Sequence, residues 1–222
     1  MCKMKSAIIL KDRVFIPDYD SHSEMLEELK IADTKANAKR FFIRAELSPI
    51  DGDVFSDIDT WAFVVDQDIR PDWFVEEIDK ARMVEAVKRW AKDRIHIGVD
   101  GLKINSGANH YIKDCKNVVI CGSSTVTAWG LSTVEAYDSS TVEAYNSSTV
   151  KAYDSSTVEA WGSSTVKAYN SSTVIKNVYS SFDKANLILS DNATFKDCKS
   201  KIIYQSGDWT LRLVGKEGKI NG

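Results

Sequence analysis

The sequence predicts an α+β N-terminal domain followed by an all-β solenoid (β-helix), two-sided, with 16-residue coils. Two observations lead to this prediction. An eight-residue phrase, Ser-Ser-Thr-Val-x-Ala-(Tyr/Trp)-(Gly/Asp/Asn), recurs from Ser123 to Val174, whereas the first half of the chain mixes strand-like and helix-like segments. Short fixed-period repeats are typical of stacked, quasi-one-dimensional folds. We therefore divide the chain into an α+β domain at 1–97, a solenoid at 98–206 and a C-terminal cap at 207–222.

Each octad is predicted to form one short strand and one corner. Thr-Val-x-Ala-aromatic favours a strand, and Gly/Asp/Asn-Ser-Ser favours a turn. Side chains alternate along a strand, and charges are rarely buried unpaired. The charged position of Glu143 must therefore face outward with Tyr145, and Val142 and Ala144 must face inward. A helix is excluded because the β-branched Thr-Val pair recurs every eight residues, which does not match a 3.6-residue period.

Two octads per coil sort the aromatic residues into separate ladders. At 16-residue spacing, one face carries Trp129, Tyr145 and Trp161, and the other carries Tyr137, Tyr153 and Tyr169. The corners sort in the same way, with Gly130, Asn146 and Gly162 on one side and Asp138, Asp154 and Asn170 on the other. Stacking would place Glu135 beside Lys151, which attract, and Glu143 beside Glu159, which repel.

Length and composition are ordinary for a soluble protein. The chain has 222 residues and a formal net charge of −3. It contains no apolar run of about 18 residues, and its first apolar run ends at Lys11, too early for a signal peptide. We therefore expect a cytoplasmic protein with no membrane partner. No Cys-x-x-Cys spacing occurs, which favours free thiols at Cys115 and Cys121 over a metal site there.

The N-terminal domain is predicted as two layers, a mainly antiparallel sheet with two helices. Ser21 is followed by Glu24, the capping-box spacing at a helix start, so His22 is interpreted as a polar residue of a first helical turn. Asn37 to Arg40 is interpreted as a connector. The predicted strands are Ala7 to Leu10, Val14 to Ile16, Phe41 to Glu46 and Thr60 to Asp66, and the second helix runs from Glu76 to Asp93.

The ends of the solenoid are predicted to be degenerate copies of the repeat. Ile95 to Val99 resembles the strand at which the solenoid begins, with His96 as a partly buried structural residue. After Val174 the phrase decays, and Asn192 to Phe195 repeats it out of phase. Ile202 to Tyr204 and Trp209 to Leu213 are expected to close the open end, since an uncovered terminal coil is an unpaired β-edge.

An acidic stretch precedes the second predicted helix. It holds eleven carboxylates opposed by Arg70: Glu46, Asp51, Asp53, Asp57, Asp59, Asp66, Asp68, Asp72, Glu76, Glu77 and Asp79. Solvated turns and a helix with acids at its start explain most of this pattern. One alternative is a cation loop at Asp51, Asp53, Asp57 and Asp59, whose spacing resembles an oxygen-rich loop but lacks the Gly at the sixth and the Glu at the twelfth position of an EF-hand. The other is an acidic binding patch of Asp51, Asp53, Asp57, Asp59, Asp66 and Asp68.

Several phrases resemble those of hypothetical octapeptide-repeat proteins encoded by phages and prophages of gut bacteria. They are Lys11 to His22, Val65 to Asp68, Pro71 to Trp73 and Tyr111 to Cys115, followed by the Ser-Ser-Thr-Val-x-Ala-Tyr octads. The resemblance covers most of the chain. It implies a viral or mobile-element context, in which small proteins bind and block host machinery, and it supplies no catalytic residues.

The function expected from the sequence is non-enzymatic: binding, and inhibition, of a host defence protein in the host cytoplasm. The expected binding residues are Trp129, Tyr137, Tyr145, Tyr153, Trp161 and Tyr169 on the solenoid, together with the acidic patch, because aromatic side chains dominate binding hot spots. We expect no cofactor, no metal and no direct contact with nucleic acid; a nucleic-acid-binding host protein and a homo-oligomer are both open. The alternatives are a structural or virion-associated solenoid, a polysaccharide-acting enzyme, and an ice-binding Thr ladder.

Overall fold

The computed structural model describes residues 5–183 and 186–205 and the backbone of Arg212–Leu213. The chain forms two compact units, Met1–Ile95 and His96–Gly222. The first mixes strands and helices and the second is a two-sided β-solenoid, which confirms the predicted fold class. The cap predicted at 207–222 lies outside the described residues, apart from the backbone of Arg212–Leu213. Within the described part of the chain, none of the helices has the length and apolar character needed to span a bilayer.

The N-terminal unit is built on a four-stranded antiparallel sheet. Its elements are β1 (Lys5–Leu10), β2 (Val14–Phe15), α1 (His22–Glu28), α2 (Lys35–Ala38), β3 (Phe42–Ser48), a 3₁₀ turn (Ile58–Thr60), β4 (Ala62–Val65) and α3 (Glu76–Lys92). The strand order is β2-β1-β3-β4. The predicted strands and both predicted helices are confirmed. Helix α2 replaces the expected connector, because Thr34 caps it by accepting the backbone N–H of Asn37 at 3.2 Å.

Both faces of this sheet are covered. Ile8 of β1 packs with Met25 of α1, and its neighbour Ile9, on the opposite face, is also fully buried. Lys5, which shares the face of Ile9, places its Nζ 5.2 Å from the centre of the Trp90 ring of α3. The prediction of two layers is therefore wrong, because α1 and α3 lie on opposite faces and make three.

The starts of α1 and α3 explain much of the local charge pattern. The Oγ of Ser21 accepts the backbone N–H of Glu24 at 3.3 Å, which confirms the predicted cap of α1. Helix α3 starts without a side-chain cap at Val75, but the buried Asp79 accepts the Val75 N–H at 3.0 Å and pairs with Arg82 at 2.6 Å. The positive end of the helix dipole also stabilises a carboxylate in the first turn.

The solenoid alternates its strands between two sheets, parallel from the first coil to Thr194–Asp197, after which two antiparallel strands extend one sheet. Its strands are β5 (Ile95–Ile97), β6 (Lys103–Ile104), β7 (Asn109–Lys113), β8 (Val118–Ile120), β9 (Thr125–Trp129), β10 (Thr133–Ala136), β11 (Thr141–Ala144), β12 (Thr149–Ala152), β13 (Thr157–Ala160), β14 (Thr165–Ala168), β15 (Thr173–Lys176), β16 (Leu187–Leu189), β17 (Thr194–Asp197), β18 (Ile202–Gln205) and β19 (Arg212–Leu213). Thr133 lies opposite Thr149, sixteen residues later, on one sheet, and Thr141 lies opposite Thr157 on the other. This register confirms the coil of two octads.

The interior holds the small residues that the alternation predicts. Val142 and Ala144 are 0% exposed, as is the second serine of the Ser-Ser pair, Ser140. The Ser140 hydroxyl donates to the backbone carbonyl of Tyr137 at 2.7 Å, so the buried hydroxyl satisfies a corner carbonyl. Valine, alanine and one serine per octad therefore fill the core, and the sheets can approach closely.

The corners require a left-handed backbone, which explains why they hold only Gly, Asp or Asn. Asp138 and Asp154 have φ of 57° and 54°, and Gly162 has φ of 61°. Asn and Asp tolerate this region better than other side chains, and Gly adopts it freely. Asp154 also accepts the backbone N–H of Asp138, one coil earlier, at 3.2 Å, so this corner carries a ladder of side-chain acceptors.

Both ends of the solenoid depart from the repeat. At the start, the rings of His96 and His110 stack at 5.7 Å. Near the other end, Thr194 lies opposite Thr173, 21 residues earlier, so the phase shifts by five residues as the sequence echo suggests. Strand β18 then runs antiparallel to β17 and stacks Tyr204 on Phe195 at 5.7 Å. The predicted closing strand at Ile202 to Tyr204 is therefore confirmed, and Trp209 lies outside the described residues.

Candidate functional site

The repeat displays its aromatic and charged side chains on two outer faces. The acidic face is formed by β9, β11 and β13 and consists of Thr127, Trp129, Glu143, Tyr145, Glu159 and Trp161. The mixed-charge face is formed by β10, β12 and β14 and consists of Glu135, Tyr137, Lys151, Tyr153, Lys167 and Tyr169. All six aromatic residues predicted for the solenoid are half-buried on these faces and alternate with fully buried alanines. The structure thus divides them into two groups of three.

The rings of the acidic face form one continuous stack. Trp129 lies on Tyr145 with ring centres 5.2 Å apart, and Tyr145 lies on Trp161 at 5.7 Å. The planes are tilted by only 9° and 13°. Tyr111 of β7 extends the stack beyond Trp129, at 6.3 Å. Because each ring is held by the ring on the next strand, the stack is a rigid aromatic surface.

The rings of the mixed-charge face stack more closely. Tyr137 and Tyr153 are 4.8 Å apart, and Tyr153 and Tyr169 are 5.0 Å apart. These distances match the spacing of paired strands, about 4.8 Å. The parallel register alone therefore brings like rings together, and stacking is a direct consequence of the 16-residue coil.

Charge on the mixed-charge face is partly neutralised, since Lys151 pairs with Glu135 on one neighbouring strand and lies opposite Lys167 on the other. Lys151 donates from Nζ to Glu135 Oε1 at 2.8 Å, and this hydrogen bond lowers the pKa of Glu135. The Tyr137 hydroxyl donates to the same carboxylate at 3.2 Å. A cleft of about 300 Å³ lies beside the ion pair, lined by Asn117, Val119, Thr133, Val134, Glu135, Thr149 and Lys151. The cleft is shallow, and its charges already have partners within the protein.

Charge on the acidic face is not neutralised in this way. Glu143 and Glu159 lie directly opposite each other on neighbouring strands. Thr127 and Tyr145 each donate a hydroxyl hydrogen bond to Glu143, both at 3.4 Å. Burial, followed by the charge of Glu143, raises the pKa of Glu159. Burial together with Glu143 also raises the pKa of Tyr145 to about 12.

The acidic patch predicted in the N-terminal unit is exposed along its whole length, but its members have separate local roles. Asp53 accepts the backbone N–H of Phe55 at 3.0 Å, and Asp57 accepts that of Asp59 at 3.1 Å. Asp59 pairs with Lys88 at 2.8 Å. These contacts support the interpretation as turns and a solvated surface. Asp51, Asp66 and Asp68 are exposed as well.

The other residues singled out by the sequence are placed as expected. Cys115 is a buried free thiol and Cys121 is a half-buried one. His96 is half-buried at the first coil. Among the described residues, one group of His, Cys, Asp and Glu side chains is close enough to share a metal ion, and it includes none of Asp51 to Asp59. The cation-loop alternative therefore gains no support from the geometry.

Comparisons with protein-family models, with curated proteins and with solved structures find no match to this chain. The resemblance to phage-encoded octapeptide-repeat proteins accordingly stays a prediction. Function has to be inferred from the chemistry of the two faces.

Proposed function

We propose that this chain is a non-catalytic interaction protein whose acidic face binds a basic surface on a partner protein. The observation that supports this most is the position of Glu143 opposite Glu159 within a stack of aromatic rings. Neighbouring like charges destabilise a sheet, so the arrangement is unfavourable unless a cationic group can bind between them. On the mixed-charge face Lys151 supplies the counter-charge of Glu135, and the like-charge pair there, Lys151 opposite Lys167, is cationic and would not attract a basic surface.

An arginine or lysine of the partner fits this face chemically. A guanidinium group bonds carboxylates in a planar fork and also packs on Tyr or Trp rings. The rings of Tyr145 and Trp161 flank the two carboxylates along the strands and are already held in place by stacking. Little side-chain entropy is then lost on binding, which is why preorganised aromatic residues make strong contacts.

The sequence resemblance supports a host protein as the partner and the host cytoplasm as the place of action. Proteins that bind nucleic acid carry clustered Lys and Arg, so an acidic aromatic surface suits such a target without any contact to nucleic acid. On this proposal the protein inhibits its partner, as an anti-defence factor would.

The experiment is affinity capture from host lysate followed by direct titration of the identified partner. The test variant is Tyr145→Ser with Trp161→Ser, and the matched control is Tyr137→Ser with Tyr153→Ser on the other face. Loss of two hot-spot rings of about 2 kcal/mol each would weaken binding by roughly a thousandfold in the test variant alone. Binding should also weaken steeply with added salt, since the contact is charged.

Two results would refute the proposal. One is equal partner affinity in the two double variants, which would show that neither face discriminates. The other is a partner surface without excess Lys or Arg and an affinity that does not change with salt. Circular dichroism on each variant separates a lost contact from a lost fold.

A polysaccharide-acting enzyme is the second candidate, because the same pair of carboxylates favours it. Adjacent strands lie about 4.8 Å apart, close to the roughly 5–5.5 Å that separates the carboxyl groups of retaining glycosidases. The raised pKa of Glu159 would suit a general acid. Release of reducing ends from a polysaccharide panel by wild type, abolished in Glu159→Gln, would establish this function in place of simple binding.

A further inference from the structure

Three side chains from separate elements of the N-terminal unit converge on one face of the sheet. His22 is the first residue of α1, Glu46 lies within β3, and Asp66 directly follows β4. The antiparallel pairing of β3 and β4 positions Asp66, whose backbone N–H donates to the Arg44 carbonyl at 2.9 Å. One ligand atom from each of His22, Glu46 and Asp66 lies within 4.8 Å of the others.

The hydrogen bonds of His22 direct one ring nitrogen toward a carboxylate. Its Nε2 lies 3.2 Å from the carbonyl oxygen of Ala45, and a carbonyl only accepts, so Nε2 carries a proton. The Nδ1 atom lies 3.3 Å from Oδ2 of Asp66, which also only accepts when ionised. With that tautomer the Nδ1 lone pair points toward the Asp66 carboxylate, and a cation between the two atoms would bind both.

A second observation comes from the neighbouring strand. Ser6 of β1 lies directly opposite Glu46, so their side chains emerge on the same face of the sheet. Ser6 is 0% exposed, and among the described residues its Oγ has no hydrogen-bond partner. The buried, unpaired Ser6 hydroxyl beside Glu46 is free to hydrogen-bond a group bound on this face. Water or hydroxide on a bound ion would supply such a group.

We propose that His22 Nδ1 and the carboxylates of Glu46 and Asp66 bind a divalent transition-metal ion, with Zn²⁺ as the best match. Zn²⁺ accepts both imidazole nitrogen and carboxylate oxygen and binds through three protein ligands with an open fourth position, whereas Mg²⁺ and Ca²⁺ prefer oxygen alone. The Ala45 carbonyl provides the usual outer partner that orients a ligating histidine. The ion would join the start of α1 to β3 and to the end of β4, and so stabilise this unit.

The test is zinc binding to the full chain after removal of any affinity tag. Wild type is expected to bind one Zn²⁺ per chain by calorimetry and to unfold at a higher temperature with the ion. His22→Gln and Asp66→Asn should each weaken binding by about tenfold or more, because each removes a ligand. The matched control is Asp68→Asn, an exposed acid two residues from Asp66, which should bind as wild type does.

Cobalt substitution identifies the ligands independently of stability. The expected Co²⁺ spectrum shows the visible bands of a site with nitrogen and oxygen ligands and no sulfur charge-transfer band, which would exclude all four cysteines of the sequence as ligands. If wild type retains no zinc in calorimetry, His22 and Asp66 form an ion pair only and the proposal is overturned. Unchanged zinc affinity in Asp66→Asn, or a sulfur band in the cobalt spectrum, would overturn it equally. Asp66 is 59% exposed, so this variant is expected to fold.

Discussion

Glu143 lies directly opposite Glu159 on the acidic face, whereas on the other side of the same coils Glu135 lies opposite Lys151 and bonds to it at 2.8 Å. One repeat position therefore creates repulsion between Glu143 and Glu159 on one face and attraction between Glu135 and Lys151 on the other, where Lys151 also lies opposite Lys167. Since the backbone and the neighbouring residues are nearly identical, the two faces form a matched pair for experiments. Comparing equivalent variants on the two faces separates the effect of the charges on stability from their effect on binding.

Reversing one charge on the acidic face should stabilise the solenoid. Glu159→Lys would place a cation opposite Glu143 and is expected to raise the free energy of unfolding by about 0.2–1 kcal/mol. Glu135→Lys, the matched change on the other face, would replace the ion pair with two cations opposite each other and should lower it by a similar amount. Chemical denaturation of both variants measures the effect. Two changes of the same sign would show that cross-strand charge does not control stability here.

Stability should depend on pH with opposite signs at Glu159 and Glu135. The pKa of Glu159 is raised above its ordinary 4.5, so the folded state holds that proton more tightly than the unfolded state. Its contribution is favourable below 4.5 and is lost as the pH rises through the folded pKa. Glu159→Gln should therefore be more stable than wild type at pH 7, with a difference that shrinks toward pH 4.

Glu135 provides the control for this titration. Its pKa is lowered by Lys151, so its contribution is present above 4.5 and is lost as the pH falls through the folded pKa. Glu135→Gln should be less stable than wild type at pH 7, and this difference should also shrink on acidification. Thermal unfolding of the three proteins across the pH range is the measurement. Parallel curves for the two variants would contradict the assignment.

The narrow interior should not tolerate larger side chains. Ala152 is 0% exposed and lies opposite Ala136 and Ala168 on the neighbouring coils. Ala152→Leu inserts three carbon atoms into a packed core and is expected to cost about 1–3 kcal/mol. Lys151→Leu, one residue earlier but facing outward, is the control and should cost less. Equal losses in denaturant titration would show that the interior is looser than the structure indicates.

The stability of a corner should depend on two features of its residue, a left-handed backbone conformation and an acceptor oxygen in the side chain. Asp154 has φ of 54° and accepts the N–H of Asp138 at 3.2 Å. Asp154→Asn keeps both features and should be nearly neutral. Asp154→Val loses both, at about 1–2 kcal/mol for the left-handed backbone and roughly another 1 for the hydrogen bond. Asp154→Gly, which keeps only the conformation, should fall between them; any other order would refute this.

The sequence was most informative where structure follows from local alternation. The charge at Glu143 was enough to assign Val142 and Ala144 to the interior, because the opposite phase would bury that charge. Capping at Ser21 was similarly local, since its partner is three residues away. Helix α2 was missed because a four-residue helix carries no periodic signal, and the cap at Thr34 was the available clue.

The sequence by itself determined the two-sided coil, the residues of its interior and the composition of each face. The reason is that each octad repeats the same strand and turn preferences as the octad before it. Only the tertiary structure decided which distant side chains meet. His22, Glu46 and Asp66 approach one another through the packing of α1 over an antiparallel sheet, and no short-range pattern encodes that distance. The shift from 16 to 21 residues before Thr194 is likewise set by where the intervening chain rejoins the stack. Inward and outward alternation of side chains depends on neighbouring residues in the sequence, whereas the meeting of distant side chains depends on how helices and strands pack.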